Sequence, residues 1–177
     1  MGFAAILHNA TAVTTEPRDS MEAGQPEKRI LFVCAGNLCR SFMAERIFRK
    51  QLKKRHLSRV QAESAGLLDL GGANADPLAV SILHEKGMDG SRHRSRTVSA
   101  DMVSRADMVL VMEEAQREEL LRRHPEAEGK VRLLKSFSLH GDEGSLDIED
   151  PHGREPYHYR SCFAEIYFSL EGLFRCI

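Results

Sequence analysis

Leu31-Phe32-Val33-Cys34-Ala35-Gly36-Asn37-Leu38-Cys39-Arg40-Ser41 decides how the rest of the chain is read. A short apolar run from Ile30 to Val33 stops at a cysteine, a Gly-containing loop follows, and Met43, Ile47 and Phe48 then recur at helical spacing. A strand, a tight loop and a helix N-terminus in succession form an anion site, because unpaired backbone N–H groups and the helix dipole converge on one spot. Cys34 and Arg40 bracket the loop, and Ala35, Gly36, Asn37, Leu38 and Cys39 supply its backbone N–H groups. A thiol in that positive field is expected as the nucleophilic thiolate at neutral pH. Arg40 can fork onto two oxygens of a tetrahedral anion. The stretch is equipped for phosphoryl transfer to sulfur.

The C-x5-R spacing alone arises by chance in many proteins, and a cysteine ending a strand is usually a small buried hydrophobe. The full C-x-G-N-x-C-R-S string between an apolar strand and an amphipathic helix is far rarer. Cys34 to Ser41, with Ala44-Glu45, resembles the signature of the low-molecular-weight protein tyrosine phosphatases.

Outward from the loop, the chain alternates between strand and helix patterns. Residues 1–28 lack periodicity and read as a disordered extension, with Met21 offering an internal start, so the domain is placed at 29–177. Strands are expected over 29–33, 60–64, 106–112 and 131–134, the third apolar enough to be covered on both faces. Helices are expected over 41–55, from Asp76-Pro77 to Gly87, over 113–123 and over 155–174. The last should place Phe163, Ile166, Tyr167, Leu170, Leu173 and Phe174 on one face. Residues 91–99 form a basic connection, and 136–154 a long acidic, Gly-containing loop, a length that tends to be functional. The order implies an α/β fold with three α/β/α layers. Its four-stranded parallel open twisted sheet is flavodoxin- or Rossmann-like, with the phosphate loop after the first strand.

Composition narrows the function classes. A net charge of −1 gives no electrostatic case for nucleic acid or an anionic membrane. No segment approaches a membrane span, and no basic region precedes a long apolar one at the N-terminus. Cys34, Cys39, Cys162 and Cys176 show neither C-x2-C pairs nor a matching histidine cluster, so no metal site or cofactor is expected and a reduced, cytoplasmic setting fits. His56, His84, His124 and His140 lie among polar neighbours and are expected at the surface.

The resemblance runs from Arg29 to Phe174. It implies that Asp150, in Asp150-Pro151 of the long loop, is the acid that protonates the leaving group and then the base for the hydrolytic water. Standing alone, Asp-Pro is only a turn signal. Ser41 is placed to donate to the Cys34 thiolate, and Asn37 to hold a left-handed loop conformation. Ser91-Arg-His93-Arg-Ser-Arg96 resembles the family's S-x-H-x-x-R, whose histidine orients the loop asparagine; a solvated basic connection is the plainer reading. Cys39 resembles the thiol that traps an oxidised nucleophile as a disulfide, with simple packing an equal alternative.

Ser64 to Pro77 looks most like the bacterial branch acting on tyrosine autokinases of exopolysaccharide export, which implies a phosphotyrosine protein, such as a bacterial tyrosine kinase, as partner. Leu70 falls where many relatives carry a stacking aromatic. Phe42 stands where Pro is usual, and His152 where Tyr is common. With Leu70 and His152 the pocket rim is poor in aromatics, which leaves phosphotyrosine against other aryl phosphates open. Two rival readings are a thiol-dependent arsenate reductase and a non-catalytic phosphate-binding or redox-sensing module. The first needs relay cysteines, and none lies between Leu78 and Ser99. Oligomeric state is not legible.

Overall fold

The computed structural model describes residues 28–139 and 144–177. The expected disorder of 1–28, the start at Met21 and the placement of His140 therefore lie outside the described residues, except that Lys28 opens the first strand. That strand, β1 (Lys28–Cys34), lies between β2 (Val60–Gly66) and β3 (Met108–Val111), and β4 (Val131–Leu133) completes the order β2-β1-β3-β4. All three pairings are parallel, with Phe32 opposite Ser64 on one side and Leu110 on the other. Each parallel connection needs a crossover helix. The crossovers run through α1 (Arg40–Lys54), through α2 (Pro77–Glu85) with α3 (Ala100–Arg105), and through α4 (Glu114–Arg123), while α5 (Pro156–Leu173) follows the last strand.

The two-residue period of β1 divides the core. Ile30, Phe32 and Cys34 belong to the layer that also holds Met43, Ile47 and Phe48 of α1, Ile82 and Leu83 of α2, and Ile166 and Leu170 of α5. Leu31 and Val33 belong to the opposite layer, with Val103 of α3 and Leu120 of α4. With both faces covered, the sheet gathers its strand C-termini at one edge, where the loops after Cys34, Gly66 and Val111 emerge.

Several expected boundaries shift. β3 is four residues, because Ala106 and Asp107 belong to the turn out of α3. That helix, capped by Ser99 Oγ on the Met102 N–H, falls between the connection expected over 91–99 and the strand expected from 106, where no element was assigned; six residues are too few to display a helical period. The buried stripe of α5 is Tyr159, Cys162, Ile166, Leu170 and Leu173, while Phe163, Tyr167 and Phe174 flank it half-buried. His56 and His84 are exposed, as expected, but His124 is half-buried. No helix among the described residues is long and apolar enough to cross a membrane.

Candidate active site

The loop from Cys34 to Arg40 joins the C-terminal end of β1 to the first turn of α1. It rests directly on β2: a Cβ at Gly66 would lie 2.8 Å from the Gly36 carbonyl carbon and 3.0 Å from the Asn37 nitrogen. Gly66 is therefore the residue that lets the loop approach the sheet. Cys34 is buried and its Sγ accepts the Asn37 N–H at 3.3 Å, while Ser41 Oγ stands 3.1 Å away. The Ser41 hydroxyl also lies 3.2 Å from the Ala65 carbonyl, so its single proton has two acceptors to choose between. An ionised sulfur is the stronger.

Asn37 adopts φ 57°, the left-handed geometry expected of it. Its side-chain N–H2 donates to Ser41 Oγ at 2.9 Å and to Ser64 Oγ at 3.0 Å, and its Oδ1 accepts from the Arg96 backbone N–H at 3.2 Å. The His93 ring acts on the Asn37 backbone carbonyl, with Nε2 at 2.8 Å. A carbonyl only accepts, so Nε2 carries the proton. Burial holds His93 below the ordinary imidazole range, against the opposing pull of that hydrogen bond, so the ring is neutral at pH 7. Phe42, in place of the usual Pro, is fully buried with its ring centroid 4.2 Å from that of His93. The substitution thus packs the histidine that holds the loop.

Arg40 is almost wholly buried. One guanidinium nitrogen pairs with Glu113 at 2.7 Å and donates to the Ile148 carbonyl at 3.0 Å, and the other pairs with Asp150 at 2.5 Å. Burial disfavours the charge, but Asp150, Cys34 and Glu113 outweigh it and raise the Arg40 pKa. Its Nε is a buried donor without a hydrogen-bond partner among the described residues. Asp150 is two-fifths exposed and accepts the His152 backbone N–H on its other oxygen. Its loop is anchored at both ends of β3's exit: the Ile148 N–H donates to the Met112 carbonyl, and Asp147 accepts the Glu114 N–H at the start of α4.

Around this core lie residues that spacing did not reveal. Glu113 read only as the start of a charged helix, and Ser64 and Glu45 entered as parts of matched stretches with no role assigned; Ser64 Oγ donates to Glu45 at 2.5 Å while receiving Asn37. Asp76 caps α2 through the Leu78 and Ala79 N–H groups, as expected, but its second oxygen also accepts from Tyr159 and His152, each at 2.8 Å. Burial would raise the Asp76 pKa, yet these four hydrogen bonds win and lower it. Cys39 is buried, and desolvation followed by the charges of Asp76 and Asp150 raises its thiol pKa well above the usual range. Leu70 is partly exposed and lies over Gly36, so close that a Cβ there would sit 2.9 Å from it; His152 lies at the other side, 4.0 Å from Cys39. The expected site residues are thus brought to one place. Cys162 is buried in the α5 layer and Cys176 is exposed beyond it.

A family profile described as low molecular weight phosphotyrosine protein phosphatase matches residues 29–177. The chain is 41% identical over 128 residues to a probable low molecular weight protein-tyrosine-phosphatase, EpsP, of Ralstonia nicotianae, covering 72% of this chain and 81% of that one. It is 37% identical over 145 residues to a protein-arginine-phosphatase of Geobacillus stearothermophilus, covering 82% and 93%. The crystal structure of a low molecular weight protein tyrosine phosphatase from T. tengcongensis superposes with a TM-score of 0.78 at 34% identity, over 85% of this chain and 99% of that one. Sequence, sheet order and loop agree: the chain belongs to the low molecular weight phosphotyrosine protein phosphatase family.

Proposed function

We propose that residues 29–177 form a metal- and cofactor-independent protein tyrosine phosphatase domain that works through a phosphocysteine on Cys34. The supporting observation is that Arg40, beside Cys34 in the loop, is joined at 2.5 Å to Asp150, a residue 110 positions away that the acid role requires there. Phosphate oxygens lie among the loop N–H groups of residues 35–40, with Arg40 bridging two of them. Cys34 Sγ attacks phosphorus, the P–O ester bond breaks, and Asp150 protonates the departing phenolate. Asp150 then takes a proton from water, which attacks phosphorus as the P–S bond breaks, and Ser41 donates to the returning thiolate. Asn37 and His93 hold the loop in register throughout.

The proposed substrate is a phosphotyrosine protein, with a bacterial tyrosine autokinase of exopolysaccharide synthesis or export as the partner and the cytoplasm as the compartment. The likeness to EpsP supports that branch. Neither alternative chemistry is favoured: Asp150 reaches the loop, Cys162 is buried in the α5 layer, and the exposed Cys176 lies in the tail after α5 rather than in a segment next to the loop. The test compares turnover of a tyrosine-phosphorylated autokinase tail with phosphoserine and phosphoarginine peptides. Selective turnover of the first is expected; equal turnover of all three, or preference for phosphoarginine, would overturn the substrate assignment.

A further inference from the structure

We propose that Cys39, Asp76 and His152 form an inhibitory binding site for a divalent zinc-class cation, fastening the acid loop to the phosphate loop. Among the described residues this is where three such side chains converge, with Sγ, a carboxylate oxygen and a ring nitrogen all within 4.8 Å of one another. They come from three separate segments: the end of the phosphate loop, the cap of α2 and the turn after Asp150. The site is distinct from the proposed chemistry, which uses none of these side chains.

Hydrogen bonding accounts for only two of the three. The ring Nδ1 stands 2.8 Å from Asp76 Oδ2 and 4.0 Å from Cys39 Sγ, so its proton belongs to the carboxylate and the thiol gains little from the imidazole. A tetrahedral zinc with bonds of about 2.0–2.3 Å places its ligand atoms roughly 3.3–3.7 Å apart. A small rotation of the imidazole, which is 59% exposed, opens the shorter spacing and closes the longer. One sulfur, one nitrogen and one oxygen suit zinc better than magnesium or calcium. The carboxylate is already aimed: its other oxygen is held by the Leu78 and Ala79 N–H groups, and Tyr159 O–H donates to the ligating one. Such outer partners orient metal ligands.

Binding breaks the Cys39 S–H bond and releases that proton to solvent, while the neutral imidazole moves its proton from Nδ1 to Nε2. Thiolate and carboxylate then balance the dication, so an electrically neutral centre results, closed on the Cys39 and Asp76 side and open at His152. Cys39 is bonded to Arg40 in sequence and His152 lies two residues beyond Asp150. The ion therefore holds the acid loop in one position and stops Asp150 from leaving Arg40 for a substrate oxygen.

The test uses the reduced, untagged, chelator-washed full chain, titrated with Zn2+ against a chromophoric indicator and separately with Co2+ by absorption. One ion per chain is expected in the wild type and in Cys34→Ser, with affinity at least about tenfold weaker in His152→Ala. The thiolate-to-cobalt charge-transfer band should be lost in Cys39→Ser, which keeps the question open to test should His152→Ala fold poorly. Chelator-reversible inhibition of p-nitrophenyl phosphate hydrolysis should be weakened in His152→Ala, relative to its own metal-free rate. Absence of wild-type binding, loss of binding in Cys34→Ser, or unchanged affinity in His152→Ala would overturn the site. Because the cobalt band is read without turnover, its failure is distinguishable from failure of the phosphatase assignment.

Discussion

Each side chain at the loop answers to more than one neighbour. Asn37 offers its amide to Ser41 and Ser64, its side-chain oxygen to Arg96 and its backbone carbonyl to His93. The motif made Asn37 legible, but not that His93 would grip the main chain rather than the side chain. His93 is buried and its pKa is held below the ordinary 6.5, so the unfolded chain binds the extra proton first as pH falls. Stability from this group is therefore fully present above about pH 6.5 and declines below it, until the folded-state histidine also titrates. Urea unfolding followed from pH 8 to pH 5 should show that decline in the wild type and a shallower one in His93→Gln. Glu113 makes a second case, since it reaches Arg40 at 2.7 Å from a position that reads as surface helix. Removing it in Glu113→Ala should lower kcat/KM about tenfold or more, the scale of a hydrogen bond to a charged group, and weaken inhibition by inorganic phosphate. Unchanged phosphate inhibition would mean that Glu113 does not set the Arg40 position.

At the scale of elements, periodicity served best where burial is one-sided or complete. The β1, β3 and α1 patterns were legible because apolar residues there face only the core. The six-residue α3 was not, and α5 was rotated in expectation because Phe163, Tyr167 and Phe174 are apolar yet only half-buried, while Tyr159 and Cys162, which pack, were not counted on that face. Asp76 was legible as a cap and illegible as a junction, because Tyr159 and His152 reach it from 83 and 76 residues away. Asp76→Ala should cost about 1–2 kcal/mol of stability, the range for losing a cap. The Asp76 pKa is lowered in the folded state, so its contribution is present above the ordinary carboxylate pKa of 3.8 and is lost as pH falls through the folded value. The stability difference between wild type and Asp76→Ala, measured by denaturant titration, should accordingly be full at pH 7 and shrink toward acid pH. A difference that grew on acidification would reverse the assignment.

For the whole molecule, a doubly wound sheet brings Cys34 and Asp150, the proposed nucleophile and acid, to one edge from distant parts of the chain. Parallel order β2-β1-β3-β4 puts β1 in the middle, so its loop is flanked by everything that leaves the neighbouring strands. The family match begins at Arg29, and β1 begins at Lys28. A chain starting at Met21 should therefore keep kcat/KM within about twofold of the full chain; a larger loss would assign the removed residues to the working domain. The most direct measurement is p-nitrophenyl phosphate hydrolysis under reducing conditions with EDTA present, comparing wild type, Cys34→Ser and Asp150→Ala. Activity should survive EDTA, vanish in Cys34→Ser and fall by about 10²–10⁴ in Asp150→Ala, the usual contribution of a general acid. Wild-type activity abolished by EDTA, or retained in Cys34→Ser, would contradict a metal-independent phosphocysteine mechanism.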